Sequence, residues 1–267
     1  MNTQYDGVLA LPAEVAGLQE TKLTDAGQQR YKKQLLQDGW NAVFGKPLVK
    51  RKRGRGSVPP GGVAIISRSH IPIQRVPPTT DLAQRLWDTG RFVHAVAPAG
   101  KAGKTAVHFF SIYGFSNAER DPQRRVQNEE LLHMVFTYAA GLGQVPIFMF
   151  GDWNTSPRAS TAMEAALGSG NYWDIEEFFA ATEGRAAHMT CFVRETSVGS
   201  RIDSIITNSI GMQSVQGIDT LGAGPRSDVH GVPTHRAVVC EANYEVYEQT
   251  GVQFRVPSGL PCFTTDP

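Results

Sequence analysis

Hydrophobic and polar positions along this chain follow two periods, and each period predicts a different kind of element. Short apolar runs bounded by turn residues predict β-strands. These strands are expected at residues 15–20, 41–44, 62–67, 91–97, 105–113, 145–150, 189–194, 201–207 and 236–241. Apolar residues spaced three and four apart predict a long amphipathic helix over 121–142. Shorter helical patterns cover 7–10, 161–167 and 174–179, and a helix capped by Thr24 or Asp25 is expected to end near Gln37.

The order of these elements predicts an α/β (α+β) fold, a four-layer α/β sandwich. Strands dominate and helices are inserted between pairs of strands, which favours two packed sheets with helices outside over a doubly wound parallel sheet. The runs at 91–97 and 105–113 are joined by turn residues and are expected to pair antiparallel. Both sheets are therefore predicted to be mixed and mostly antiparallel. We expect one domain over residues 1–248 and a flexible tail, rich in Pro and Thr, over 249–267.

The overall charge of the chain says little about its partners. The 26 basic and 25 acidic residues nearly cancel, so a nucleic-acid ligand would have to be held by a local patch. The run from Lys50 to Arg55 is the one strongly basic segment. A solvated loop is the favoured interpretation, and contact with a nucleic-acid backbone or a nuclear address is the alternative.

Cysteine usage and hydropathy exclude several classes of protein. The three cysteines are widely spaced and form no CxxC pair, which argues against a structural zinc site or a disulfide framework. No apolar run approaches the roughly 20 residues of a membrane span. The first 20 residues lack the pattern of a signal peptide. The expectation is a protein of the nucleus or cytoplasm that does not contact a membrane.

Polar residues that suit phosphate chemistry occur at or near the ends of apolar strands. They are Glu20, Asp152 with Asn154, Asp203 and His235. Carboxylates are costly to bury without partners, and Mg²⁺ prefers oxygen ligands. A histidine held by Asp203 would be fixed in tautomer and raised in pKa, which suits proton transfer or charge stabilisation at phosphorus.

The same residues lie in motifs that resemble the endonuclease/exonuclease/phosphatase superfamily, which has the DNase I-like fold. Six motifs occur in the order of that family and span residues 18 to 238. They are Leu18-Gln19-Glu20-Thr21, Gly61-Gly62-Val63-Ala64-Ile65, Ser111-Ile112-Tyr113, Gly151-Asp152-Trp153-Asn154, Ser200-Arg201-Ile202-Asp203 and Thr234-His235-Arg236-Ala237-Val238.

The resemblance implies a role for each matching residue. Glu20 would be a metal ligand, and Asp152 would bind the metal and position or activate the attacking water. Asn154 would hold the nucleophile or a phosphate oxygen. Asp203 would orient His235, which would act on the phosphate.

Two further residues and the cofactor follow from the same resemblance. Tyr113 would contact the scissile phosphate, and Asn117 is a candidate substrate contact. The metal would be Mg²⁺, with Mn²⁺ as a substitute. The partner would be nucleic acid, DNA more than RNA, and the chain is expected to be a monomer.

Each of these residues also has a structural interpretation. Asp152 and Asn154 can simply shape a tight turn after a strand. Tyr113 can be a core aromatic that ends its strand, with the two interpretations close to even. His235 can be an ordinary surface histidine.

Two positions depart from the pattern of the family. The family opens with a strand that carries an Asn of the site, and the residues before Glu20 hold no such strand, so the fold is expected to lack it. Thr234 precedes His235 where the family usually has Asp. Asp228 and His230 give an alternative placement of the motif. His235 is preferred because a predicted strand follows it, whereas turn residues follow His230.

The substrate stays open at this point, because the same fold serves inositol-phosphate phosphatases and sphingomyelinases. We expect an Mg²⁺-dependent phosphodiesterase, an endonuclease of the retroelement or AP-endonuclease-like type. The alternatives are a phosphatase or phospholipase-type member of the fold, and a catalytically inactive relic or binding module.

Overall fold

The computed structural model of this protein describes residues 2–49, 61–99, 105–192, 198–221 and 234–249. Its strands are β1 (Val15–Leu18), β2 (Trp40–Phe44), β3 (Ala64–Arg68), β4 (Gln74–Arg75), β5 (Phe92–Ala99), β6 (Thr105–Tyr113), β7 (Ile147–Asp152), β8 (Tyr172–Asp174), β9 (Cys191–Phe192), β10 (Asp203–Asn208), β11 (Val215–Thr220), β12 (Thr234–His235) and β13 (Val238–Ala242). Its helices are α1 (Asn2–Leu9), α2 (Asp25–Gln37), α3 (Asp81–Asp88), α4 (Pro122–Gly141), α5 (Thr161–Gly168), α6 (Ile175–Glu183), α7 (Ser209–Met212) and α8 (Val246–Gln249).

A six-stranded sheet, in the order β4-β5-β6-β7-β10-β8, is the scaffold of the molecule. β6 and β7 run parallel with α4 between them in the chain, and the other neighbours run antiparallel. The predicted antiparallel pair at 91–97 and 105–113 is confirmed as β5 and β6. Since β6 and β7 are parallel neighbours, the polar residues at their C-terminal ends meet at one edge of this sheet.

A second layer of strands covers one face of the six-stranded sheet. β1, β3 and β2 form a three-stranded sheet in that order, and β11 pairs with β13. Apolar side chains of both layers meet in one core, whose buried members include Val63, Ile65, Val93, Phe109, Phe148 and Ile205. Ahead of β1, the described residues form α1.

Helices cover the outer faces of the two strand layers. A core of large apolar residues joins α3, α4 and α5 to the six-stranded sheet, with Leu86, Leu131, Leu132, Met163, Phe110 and Met149 among its members. On the opposite side, a smaller cluster joins α1 and α2 to the three-stranded sheet through Leu35, Trp40, Ala42 and Ile66. The predicted four-layer arrangement of two sheets between helices is confirmed.

The helix α4 matches its prediction closely, because its capping signals are explicit. The side chain of Asp121 accepts hydrogen bonds from the backbone N–H groups of Gln123 and Arg124, at 2.9 and 3.2 Å, and Pro122 occupies the first turn. Val126 has the three-and-four spacing from which the apolar face of this helix is predicted, but it is 68% exposed. The buried stripe of α4 runs through Asn128, Leu131 and Leu132, and Val126 lies outside it.

Other differences from the sequence prediction concern short elements. The strand expected at 189–194 contains only β9, within the described residues, and the one expected at 236–241 is β13, two residues later at its start. His235 lies in β12, which pairs with β9. The helix α3 and the strands β4, β8 and β11 were not predicted from the sequence. The basic run at 50–55, the segment from residue 250 onward and the Asp228–His230 pair lie outside the described residues.

No helix in the described part of the chain combines the length and the hydropathy that crossing a bilayer requires.

Candidate active site

Three predicted site residues lie in one row across neighbouring strands. Tyr113, at the end of β6, is the register partner of Asp152 on β7, and Asp152 is the register partner of Asp203 on β10. Directly paired residues point to the same face of a sheet, so this register brings their side chains together. Residues separated by up to 90 positions in the chain thereby form one edge of the six-stranded sheet.

Asp152 is the most strongly perturbed acid of this row. Only 8% of the residue is exposed, and burial together with the charge of Asp203 raises its pKa to about 7. The charge of His235 and a hydrogen bond from the backbone N–H of Asn154, at 3.2 Å, oppose that rise. Two neighbouring acids at a sheet edge, one of them buried, favour the binding of a cation.

His235 is held by Asp203 on one side of its ring and faces a thiol on the other. Its Nδ1 lies 3.0 Å from both carboxylate oxygens of Asp203, and its Nε2 lies 3.6 Å from Sγ of Cys191. Partial burial lowers the pKa of His235, but the hydrogen bonds to Asp203 and Cys191 and the charges of Asp203 and Asp152 raise it more, to about 11. The contact with Asp203 therefore favours the protonated imidazole. The predicted pairing of Asp203 with His235 is present.

The turn after β7 positions Asn154. Trp153 fills the space under it: the backbone N–H of Trp153 donates to the carbonyl of Ile202 at 2.7 Å, and its indole N–H donates to Oγ of Ser204 at 2.9 Å. Asn154 adopts a left-handed backbone with φ of 51°, and its Nδ2 donates to the carbonyl of Gly114 at 3.2 Å. The Asn154 amide therefore spans the gap between this turn and the end of β6.

The loop after β6 carries the other two predicted substrate contacts. Tyr113 is 3% exposed, its hydroxyl lies 2.9 Å from Oγ of Ser116, and burial raises its pKa to about 12. The tyrosine thus packs in the core while its hydroxyl faces the loop. Asn117 is exposed, with a left-handed φ of 65°. The guanidinium of Arg91 lies over the Tyr113 ring at 4.8 Å and donates to the carbonyl of Gly114 at 2.6 Å.

Glu20 lies close to this row but is more exposed than the residues above. It follows β1 with a left-handed φ of 55°, and its Oε1 lies 2.7 Å from Nζ of Lys22. The preceding Gln19 donates to Oγ of Ser111 and to the carbonyl of Phe150, both at 3.1 Å, which fixes the end of β1 over β6 and β7. The charge of Glu20 contributes to the raised pKa values of Asp152 and Tyr113, so the predicted metal ligand faces the same site.

The donor atoms fit a divalent cation. Asp152, Asp203 and His235 each offer one ligand atom, and these atoms all lie within 4.8 Å of one another. Two carboxylates, one of them with a pKa raised to about 7, form an oxygen-rich group that a hard cation would stabilise. Glu20 is outside that group of three, and it would have to exchange Lys22 for the metal.

Three residues of this region were not predicted from the sequence. Cys191 and Arg91 enter the site from β9 and from the start of β5, and Asn128 enters from α4. The only sequence signal for Asn128 is a polar residue at a buried position of an amphipathic helix. Two further histidines lie on β5 and β6 away from the site row: His94 Nε2 is 2.9 Å from His108 Nδ1.

Comparisons with known proteins identify the family and the fold of this chain. The sequence model of the Endonuclease/Exonuclease/phosphatase family matches residues 3–228. No match is found among curated proteins. The 3'-5' exonuclease (NExo) from Neisseria meningitidis superposes with a TM-score of 0.63 at 18% identity, covering 91% of this chain and 96% of that one.

Two more solved structures give similar values. An AP endonuclease from Archaeoglobus fulgidus has a TM-score of 0.59 at 15% identity, over 86% of this chain and 89% of that one. The catalytic domain of Xenopus laevis APE2 has a TM-score of 0.58 at 17% identity, over 90% and 88%. At these identities, the structural likeness shows the fold.

Proposed function

Because this chain belongs to the Endonuclease/Exonuclease/phosphatase family, whose members are hydrolases of phosphoester bonds, we propose that it is an Mg²⁺-dependent phosphodiesterase that cleaves nucleic acid. The observation that carries the proposal is the row of Tyr113, Asp152 and Asp203, with His235 bound to Asp203. Such a row combines metal ligands, a cationic imidazole and amide donors around one sheet edge. That combination suits an in-line attack of water on phosphorus.

Asp152, Asp203 and Glu20 are the residues that would hold the metal. A bound Mg²⁺ would polarise the phosphoryl group and neutralise part of its charge. Mn²⁺, which takes similar oxygen ligands, would substitute. The raised pKa of Asp152, about 7, means that the free carboxyl takes up protons near neutrality, so the metal competes with a proton for it.

The other side chains of the row would act on the phosphate and on the water. Protonated His235 would stabilise the negative charge that develops on the phosphoryl oxygens, with Asp203 keeping the ring oriented. Asn154 would donate to the nucleophile or to a phosphate oxygen. Ionised Asp152 would accept a proton from the attacking water. The new bond joins water oxygen to phosphorus, the leaving oxygen takes up a proton from solvent as its bond to phosphorus breaks, and Asp152 returns its proton to solvent.

The substrate class rests on the solved structures of similar fold. One is a 3' phosphatase from Neisseria bound to a product DNA hairpin, and another is an AP endonuclease from Archaeoglobus fulgidus. We therefore favour DNA over RNA for this chain. Removal of a terminal phosphate from DNA is the second candidate activity, because it uses the same donors. A catalytically inactive binding module is the third outcome, and the assay below separates them.

The first testable prediction is metal-dependent cleavage of DNA by the purified chain. Supercoiled plasmid and a duplex with a 3'-phosphate are incubated with Mg²⁺ or with EDTA. Nicking of the plasmid identifies an endonuclease, and release of inorganic phosphate alone identifies a phosphatase. Asp152→Ala and His235→Ala should each lower the rate by at least about 10²-fold, the size of a lost catalytic acid–base group.

Matched controls keep that result specific. Asp219 is an exposed aspartate on β11, and His133 is an exposed histidine on α4. Asp219→Ala and His133→Ala should therefore leave the rate unchanged. Nicking that persists in EDTA, or that survives both site substitutions, would contradict the proposal.

A further inference from the structure

Two segments that carry residues of the predicted site touch each other. The loop segment is residues 113–117, from the last residue of β6 onward, and the turn segment is residues 152–154, from the last residue of β7 onward. The backbone N–H of Gly114 donates to the carbonyl of Asp152 at 2.7 Å, and Nδ2 of Asn154 donates to the carbonyl of Gly114 at 3.2 Å. Both contacts lie at Gly114.

Asn128, on α4, connects the loop segment to the turn segment a second time. It is 1% exposed, and both polar ends of its side chain are used. Its Nδ2 donates to the carbonyl of Trp153 at 3.0 Å, and its Oδ1 accepts from the backbone N–H of Phe115 at 2.8 Å. One side chain therefore bonds to the turn with one end and to the loop with the other.

We propose that Asn128 is a positioning residue for the reaction, which sets the spacing between the loop with Tyr113 and Asn117 and the turn with Asp152 and Asn154. This inference rests on the proposed function. The two segments would contact the phosphate from different sides, so a change in their spacing would move the contacts relative to phosphorus. A misplacement of about 1 Å can cost about 10²-fold in rate.

The chemistry of the side chain explains why asparagine fits this place. The site needs a donor toward Trp153 and an acceptor toward Phe115, in a space closed to water. Asn provides one of each in a planar group. Ionised Asp of the same shape keeps the acceptor and presents an oxygen to the carbonyl of Trp153. Protonated Asp restores the donor, so Asn128→Asp is a variant whose fit depends on pH.

Asn208 provides a matched control at the opposite end of β7. Its Nδ2 donates to the carbonyl of Val145 at 2.7 Å, and its Oδ1 accepts from the backbone N–H groups of Ile147 and Gly211, at 3.1 and 2.9 Å. It makes the same kind of two-ended bridge, far from the site row. Substitutions at both positions lose similar bonds, but only those at Asn128 should affect catalysis.

The kinetic test measures kcat and KM for DNA cleavage in Asn128→Ala, Asn128→Asp and the same two substitutions at Asn208. Asn128→Ala should lower kcat by about 10 to 10²-fold with a smaller change in KM. The kcat of Asn128→Asp, divided by that of wild type, should rise as the pH falls. The same quotient for Asn128→Ala should not change with pH. The Asn208 variants should lower the unfolding temperature but leave kcat and its pH profile unchanged. An Asn128→Asp profile parallel to that of Asn208→Asp would overturn the inference.

A second measurement does not depend on activity. Hydrogen exchange of the full chain should show faster exchange of the Phe115 amide in Asn128→Ala than in wild type, and an unchanged rate in Asn208→Ala. If the wild type cleaves nothing but this exchange result holds, the proposed function fails and the bridging role stands. If the wild type is active and Phe115 exchanges at the wild-type rate in Asn128→Ala, the inference fails and the proposed function stands.

Discussion

Asp152 is a buried acid that lies beside a second acid, Asp203. It is buried, its register partner is Asp203, and its pKa is raised to about 7 by that burial and by the charge of Asp203. Since the folded-state pKa lies above the ordinary value of 3.8, the folded chain binds a proton more readily than the unfolded chain between those values. The stability that this proton contributes is full below about pH 4 and is lost as the pH rises through about 7.

A prediction at the residue scale follows for Asp152→Asn without added metal. The substitution removes the charge, so it should raise the unfolding temperature at pH 8 and change it little at pH 4. Thermal unfolding followed by circular dichroism at both pH values measures the difference. The exposed Asp219→Asn is the control and should show no such dependence. A lower unfolding temperature of Asp152→Asn at pH 8 would show that the charge is stabilising in the fold.

The elements differ in how clearly their ends are encoded. Two helices begin after a threonine, but the contacts are not alike. Oγ1 of Thr80 accepts from the backbone N–H of Ala83 at 3.2 Å at the start of α3, whereas the side chain of Thr24, before α2, makes no capping bond. Thr24 was predicted as a cap and Thr80 was not. A threonine before a helix is a candidate N-cap in the sequence. Whether its side chain forms the capping hydrogen bond depends on its rotamer, which is set by tertiary contacts that the local sequence does not specify.

The matched pair gives a prediction at the element scale. Thr80→Ala should lower the free energy of unfolding by about 1 kcal/mol, the usual cost of a lost cap, because α3 packs Leu86 into the core. Thr24→Ala should cost clearly less. Urea unfolding of both variants measures the difference. Equal losses would indicate that Thr80 stabilises the helix by its backbone preference and not by the hydrogen bond.

Across the whole molecule, sequence patterns predicted the layers better than the contacts within the site. Long apolar runs and the amphipathic α4 suffice for the four-layer arrangement, because burial depends mainly on periodicity. The pairing of Asp203 with His235 was predicted, and Asp152 was predicted as a metal ligand of the same site. Asn128 and Cys191 were not, since each meets the site through a contact 25 or 44 residues away in the chain, and no local pattern encodes such a pairing.

A prediction at the scale of the whole molecule concerns metal binding. The proposed ligands are Asp152 on β7, Asp203 on β10 and Glu20 after β1, so an ion bound there links strands of two different sheets. Saturating Mg²⁺ should stabilise the folded chain at pH 8 by about 2.7 kcal/mol at a hundredfold excess over Kd. Differential scanning calorimetry measures the shift. Asp152→Asn should abolish it and Asp219→Asn should retain it; a full shift in Asp152→Asn would place the ion elsewhere.

Gly114 is the point where the two site segments approach most closely. A Cβ at this position would overlap the carbonyl oxygen of Trp153, and one at Gly151 would overlap the indole of Trp153 itself. In genetic terms, every amino-acid change that a base substitution can make in a glycine codon adds a side chain. Any single-base change that alters the amino acid at Gly114 or Gly151 therefore adds atoms where Trp153 already lies. Silent changes at the third base of these two codons leave the contact as it is.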